Sequence, residues 1–119
     1  MEFTVTQADE GPVIALRGNF TFQDHHGFRA VLDALTVRSG GRKILDLQQV
    51  HFLDSAALGM LLIAEDEVTR RSGALILRNP SSQITRLFEL SAMDSLLKIE
   101  RSPDSPTADS TTESLAAPA

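Results

Sequence analysis

Along the first hundred residues the apolar positions switch between a spacing of two and a spacing of three to four, so strands and helices are expected to alternate. Phe3 and Val5 alternate with polar neighbours. Beyond the turn signal Asp9-Glu10-Gly11-Pro12, the stretch Val13-Ile14-Ala15-Leu16 reads as a second strand and hairpin partner of the first, ended by Gly18-Asn19. Thr21 and Asp24 form a T-x-x-D cap, after which Phe28, Val31, Leu32 and Leu35 fall on one helical face until Ser39-Gly40-Gly41 stops the helix. Lys43 to Leu47 is short and almost wholly apolar, as expected of a central parallel strand covered on both faces. The polar connection Gln48 to Leu53 leads to a second helix with the stripe Ala57, Leu58, Leu61, Leu62 and Val68, closed by Ser72-Gly73. Leu75-Ile76-Leu77 predicts a further buried strand. Asn79-Pro80-Ser81-Ser82 turns into a helix bearing Ile84, Leu87 and Phe88, and Leu96 to Ile99 predicts an edge strand. The order ββαβαβαβ implies an α/β domain: a mixed, mainly parallel sheet of about five strands with three to four helices and right-handed crossovers.

Composition narrows the class. A chain of 119 residues suits one α/β core. After Glu100, Ser, Thr, Pro, Ala and Asp take over, so 1–100 is expected to fold and 101–119 to form a disordered tail. The absence of cysteine excludes disulfides and thiolate chemistry and fits a reducing, cytoplasmic setting. No apolar run approaches the roughly 18 residues that span a bilayer, and the amino terminus lacks a basic region followed by an apolar stretch, so neither membrane insertion nor secretion is expected. Net charge is −5, and basic residues are scattered except at Arg42-Lys43 and Arg70-Arg71, which argues against nucleic-acid binding.

The candidate chemistry gathers at Phe52-Leu53-Asp54-Ser55-Ala56-Ala57-Leu58-Gly59, where a strand passes into a helix. Asp54 or Ser55 suits an N-cap. A phosphate on Ser55 would meet the positive end of the helix while changing the surface by about −1.5 to −2 charges. Gly59, one turn on, costs roughly 1 kcal/mol relative to Ala; close packing inside the chain or close approach of a partner would offset that cost. His25 and His26 are adjacent and are expected on different sides of a helix, with His51 far off in sequence, so no histidine metal site is indicated. Ser55 lacks the G-x-S-x-G elbow of a hydrolase nucleophile. Glu65-Asp66-Glu67 reads as a solvated helix face, and Gly40-Gly41 lacks the P-loop pattern. No enzyme and no cofactor are indicated.

Asp46, Asp54-Ser55-Ala56-Ala57-Leu58-Gly59 and Arg78-Asn79-Pro80, set in that element order, resemble the STAS domain over about residues 1–100, and within it the anti-sigma-factor antagonists of bacterial partner-switching systems. The family's usual motif is D-S-S-G-L-G, whose first serine is phosphorylated by an anti-sigma factor that doubles as a serine kinase. The resemblance places that role on Ser55, with Asp54, Leu58 and Gly59 also matching. Ala56 and Ala57 depart from the second Ser and first Gly, and Thr21 stands where the family often has Asp.

The resemblance implies a binding module that docks on an anti-sigma factor when Ser55 is unmodified and leaves it when Ser55 is phosphorylated, with a metal-dependent serine phosphatase restoring the first state. Asn19, Thr21, His51, Phe52, Asp54, Ala56, Leu58 and Gly59 are the expected partner-binding residues. Two rivals are a constitutive scaffold subunit, such as those supporting lipid-transport ATPases, and small-ligand or nucleotide binding by the sheet and loops.

Overall fold

The structure, a computed structural model, describes residues 1–9 and 11–101. The chain forms strands β1 (Glu2–Ala8) and β2 (Gly11–Phe20), helix α1 (His25–Thr36), strand β3 (Gly41–Leu53), helix α2 (Ser55–Arg70), strand β4 (Gly73–Arg78), helix α3 (Ser82–Leu90) and strand β5 (Lys98–Glu100). Short 3-10 turns lie at Phe22–Asp24 and Met93–Ser95. This is the expected element order. Of the expected tail, 102–119 lies outside the described residues. Arg101 is tied into the fold: its guanidinium donates to the Pro80 carbonyl and to Thr85 Oγ1, both at 2.9 Å.

The strands lie in the order β1-β2-β3-β4-β5, with β1 antiparallel to β2 and the others parallel. Because consecutive strands are neighbours, right-handed crossovers carry every connecting helix to the same side of the sheet. The core reflects this. Ile14, Leu16, Leu45, Leu47, Leu75 and Leu77 form one buried cluster with Phe28, Val31 and Leu35 of α1, Leu58, Leu61 and Val68 of α2, and Ile84 and Phe88 of α3. Ile44 and its register partner Ile76 are also buried but stand outside that cluster. By strand alternation they share the opposite face with Arg42 and Arg78, which both reach Glu100, at 3.0 and 3.1 Å. Those two guanidinium hydrogen bonds, Arg42 first and then Arg78, hold the Glu100 carboxyl below its ordinary value.

Two expectations fail at the end of the sheet that matters most. The second strand does not stop at Gly18-Asn19, and Gln48 to Leu53 is no loop; β2 and β3 stay paired through Asn19↔Phe52 and Phe20↔Leu53. The ladder slips twice, between Ala15 and Arg17 and between Gly18 and Asn19, and each slip leaves an additional residue in β3. Buried positions on β3 therefore fall at Leu47, Val50 and Leu53, a spacing of three that conceals a strand from any search for alternation. The last strand is also shifted, since Leu96 is exposed and Leu97 buried ahead of Lys98–Glu100. Asn79, in the left-handed region at φ 57° and buried, closes β4 and donates its backbone N–H to the Glu100 carbonyl at 2.8 Å.

Candidate functional site

The carboxyl ends of β2 and β3 deliver the chain into two helical starts side by side, and Asp54 fastens them together. Its Oδ1 accepts the backbone N–H of Ala57 at 2.8 Å, which caps α2, and its Oδ2 accepts the N–H of Phe22 at 3.0 Å, at the start of the neighbouring 3-10 turn. The Asp54 N–H donates to the Phe20 carbonyl at 3.3 Å. One carboxylate thus satisfies a donor from each of two helical first turns, which would otherwise be unpaired.

The same economy recurs one turn away. Thr21 and Asp24 form the expected capping box: Thr21 Oγ1 accepts from Gln23 N at 3.3 Å and Asp24 Oδ2 from Thr21 N at 2.9 Å. The box caps the 3-10 turn that leads into α1. Asp24 Oδ1 also meets the Met1 ammonium at 3.0 Å. Burial pushes the Asp24 carboxyl up, but the hydrogen bonds from the Thr21 backbone, the ammonium and the Thr21 hydroxyl outweigh it, and the net shift is downward.

With Asp54 as the cap, Ser55 is the first residue of α2, and it is exposed. Its hydroxyl is not consumed by capping. The Ala57 N–H is taken by the Asp54 carboxylate and the Leu58 N–H by the Asp54 carbonyl. Among the described residues, the N–H groups of Ser55 and Ala56 are the first-turn donors left for an anion on the Ser55 oxygen.

Two large apolar side chains are exposed on the segments that meet at Asp54. Phe52 is 49 % exposed at the end of β3 and Phe22 is 62 % exposed on the turn that Asp54 holds. The Phe22 ring stacks on His25 at 5.0 Å, and His25 lies 4.1 Å from the His26 ring. The adjacent histidines, expected to diverge, instead lie against each other, both exposed; among the described residues no cluster of metal-ligating side chains occurs. Asn19 is exposed opposite Phe52, and Thr21 and Ala56 are half-buried. His51 and Phe52 line a small groove with Ile84, Leu87 and Leu90 of α3.

Leu58, expected both in the apolar stripe of α2 and among the partner-binding residues, takes the first of those places. Its side chain is 5 % exposed and belongs to the core, so it supports the first turn from beneath and presents nothing to a partner. Gly59 is the converse case. Among the described residues a methyl group built there meets no atom within 4 Å beyond its own turn, so packing against them is not what the glycine serves. Ser55, Gly59 and Ile63, four residues apart, follow the outward side of α2, and Ile63 is 59 % exposed. Phe22 and Ile63 belong to no motif in the sequence. Both are large apolar residues that fall outside the inward stripes of their elements, and that mismatch was the available signal.

The sequence and the fold have counterparts among known proteins. The family model described as "Mlab, STAS domain" matches residues 3–98. A STAS-domain containing protein of Pseudomonas aeruginosa (strain UCBPP-PA14) is 31% identical over 86 residues, 72% of this chain and 84% of that protein. An anti-sigma-B factor antagonist of Listeria monocytogenes is 28% identical over 72 residues, 60% of this chain and 63% of that one. Among solved structures, the anti-sigma factor antagonist SpoIIAA in its unphosphorylated form superposes with a TM-score of 0.64 at 22% identity, covering 87% of this chain and 90% of that one. The phosphorylated form of the Bacillus protein gives the same TM-score at 23% identity, covering 87% and 93%. These structural likenesses establish the fold.

Proposed function

The chain belongs to the STAS domain family, and on that premise we propose that it is an anti-sigma factor antagonist whose docking is switched at Ser55. Unmodified, the face formed by Asn19, Thr21, Phe22, Phe52, Ser55, Ala56 and Gly59 binds an anti-sigma factor and displaces its sigma factor. The exposed rings of Phe22 and Phe52 supply apolar area for that contact. Once the partner, acting as a serine kinase, moves the γ-phosphoryl of ATP onto the Ser55 oxygen, about −1.5 to −2 charges stand beside the Asp54 carboxylate. The start of α2 tolerates the phosphate, so the fold persists, while a desolvated dianion next to a like charge costs an interface several kcal/mol. Each 1.4 kcal/mol is tenfold in affinity. A serine phosphatase resets the protein.

The observation that carries this reading is an exposed hydroxyl at the first residue of α2, left over because Asp54 performs the capping, with exposed phenylalanines on the two segments that Asp54 joins or follows. The experiment is intact-mass spectrometry after incubation with ATP and the anti-sigma factor, followed by calorimetric titration of wild type, Ser55→Ala and Ser55→Asp. Phosphate on Ser55, constitutive binding by Ser55→Ala and weaker binding by Ser55→Asp are expected. Equal affinity for all forms would sink the switch. A permanent scaffold on the same face is the competing reading. It predicts an unmodified Ser55 and co-purification with a transporter ATPase.

A further inference from the structure

The two edges of the sheet are built differently. β5 has three residues, and both of its charged side chains are in ion pairs, Lys98 with Glu65 and Glu100 with Arg42 and Arg78. Short, charged edges of this kind resist pairing with another chain. β1 has seven residues, Glu-Phe-Thr-Val-Thr-Gln-Ala, with no Lys, Arg or Pro. Among the described residues it pairs only with β2, along its whole length and on one side, and every residue but Phe3 is exposed. Its one charge, Glu2, sits at the strand end and takes Arg17 at 3.2 Å.

Beside this edge lies exposed apolar surface. Val5 is 46 % and Val37, just past α1, is 78 % exposed, and both line an open groove with Gly11, Pro12 and Ala34. The register places Val5 across from the core residue Ile14, so Val5 stands on the helix side of the sheet, as Val37 does.

We propose that β1 pairs with the β1 of a second copy of this chain, antiparallel across a two-fold axis at Val5, joining the two sheets into one of ten strands. Centring on Val5 is the register that pairs all seven residues. It sets Val5 against Val5, Thr4 against Thr6, Phe3 against Gln7 and Glu2 against Ala8. β-Branched and Thr–Thr neighbours are favourable cross-strand pairs, and no like charges face each other. An unpaired row of backbone groups selects a strand as occupant, and this self-complementary pairing selects a second copy. The pairing is made by the backbone edge of β1 and by Val5, none of them among the residues of the proposed face, and its assays need no anti-sigma factor, although the Glu2 end of β1 lies beside that face, where the Met1 ammonium meets Asp24. Dimerisation through β1 is therefore separable from the proposed function, and either can fail without the other.

The test uses the absence of cysteine from the chain. Residues facing each other across antiparallel strands have Cα atoms about 4.5–5.5 Å apart, within disulfide reach. Val5→Cys under mild oxidation is expected to give a covalent dimer, while Leu90→Cys, also exposed but on α3, does not. By sedimentation the wild type is expected to be dimeric and Val5→Lys, with an unchanged circular dichroism spectrum, to dissociate at least tenfold more readily. A wild type that stays monomeric across the concentration series overturns the proposal. So does a dimer indifferent to Val5→Lys, or a Val5→Cys variant that cross-links no faster than Leu90→Cys.

Discussion

Replacing Gly59 by Ala separates what the fold needs from what a partner needs. Gly in a helix interior is about 0.8–1 kcal/mol less favourable than Ala, and position 59 is one full turn inside a helix of 16 residues. The added methyl meets nothing within 4 Å beyond its own turn, so no clash offsets the gain in backbone order. The isolated domain is therefore expected to gain about 0.5–1 kcal/mol. For a domain of this size that is a rise in melting temperature of roughly 2–8 °C. On the proposed face the same methyl intrudes where a partner's backbone approaches, and overpacking an interface by one carbon costs about 1–3 kcal/mol. That corresponds to a loss of affinity of about fivefold to a hundredfold. Thermal melts followed by circular dichroism and calorimetric titration with the anti-sigma factor read the two effects separately. A destabilised Gly59→Ala would refute the claim that the outward side of α2 is open there. A stabilised variant with undiminished affinity would refute the claim that the partner lies against it.

Further expectations concern the supports of the site. Asp54→Ala removes the α2 cap and the acceptor for the Phe22 N–H together, and should cost about 1–3 kcal/mol in urea unfolding, more than a cap alone; a loss no larger than that of Ser81→Ala, the α3 cap, would show that the bridge contributes nothing. Phe22→Ala, an exposed ring on the proposed face, should leave the melting temperature within a few degrees of wild type and weaken anti-sigma factor binding, whereas Leu58→Ala should do mainly the reverse, because that side chain is in the core. The Asp24 and Glu100 carboxyls are both held below their ordinary values of 3.8 and 4.5, so their contribution to stability is present above those values and is lost as pH falls through and below them. Urea midpoints measured from pH 6 down to acid should fall in that window, and Asp24→Asn or Glu100→Gln should flatten the decline; an unchanged slope would count against these carboxylates as its source.

The element order, the hairpin, the capping box at Thr21 and Asp24, the inward stripes of the three helices and the position of Ser55 at a helix start all follow from local patterning. Each depends on residues within one or two turns of each other, where capping chemistry and the period of burial act directly. The extent of β2 and β3 did not follow, because two ladder irregularities change the burial period to three, and only the pairing of Asn19 with Phe52 reveals a strand. Which of Asp54 and Ser55 caps α2 was likewise undecided by the residues, as both types suit the position; the choice is made by Phe22, thirty-two residues earlier, whose N–H needs the second carboxylate oxygen. Leu58 matches a motif yet faces inward, while Phe22 and Ile63 match none and face out, since a side chain's direction is set by what packs against its helix. Local patterning was enough to put a hydroxyl at the start of a helix. That the hydroxyl stands uncapped and exposed is a property of the folded chain, because exposure depends on contacts between segments distant in sequence.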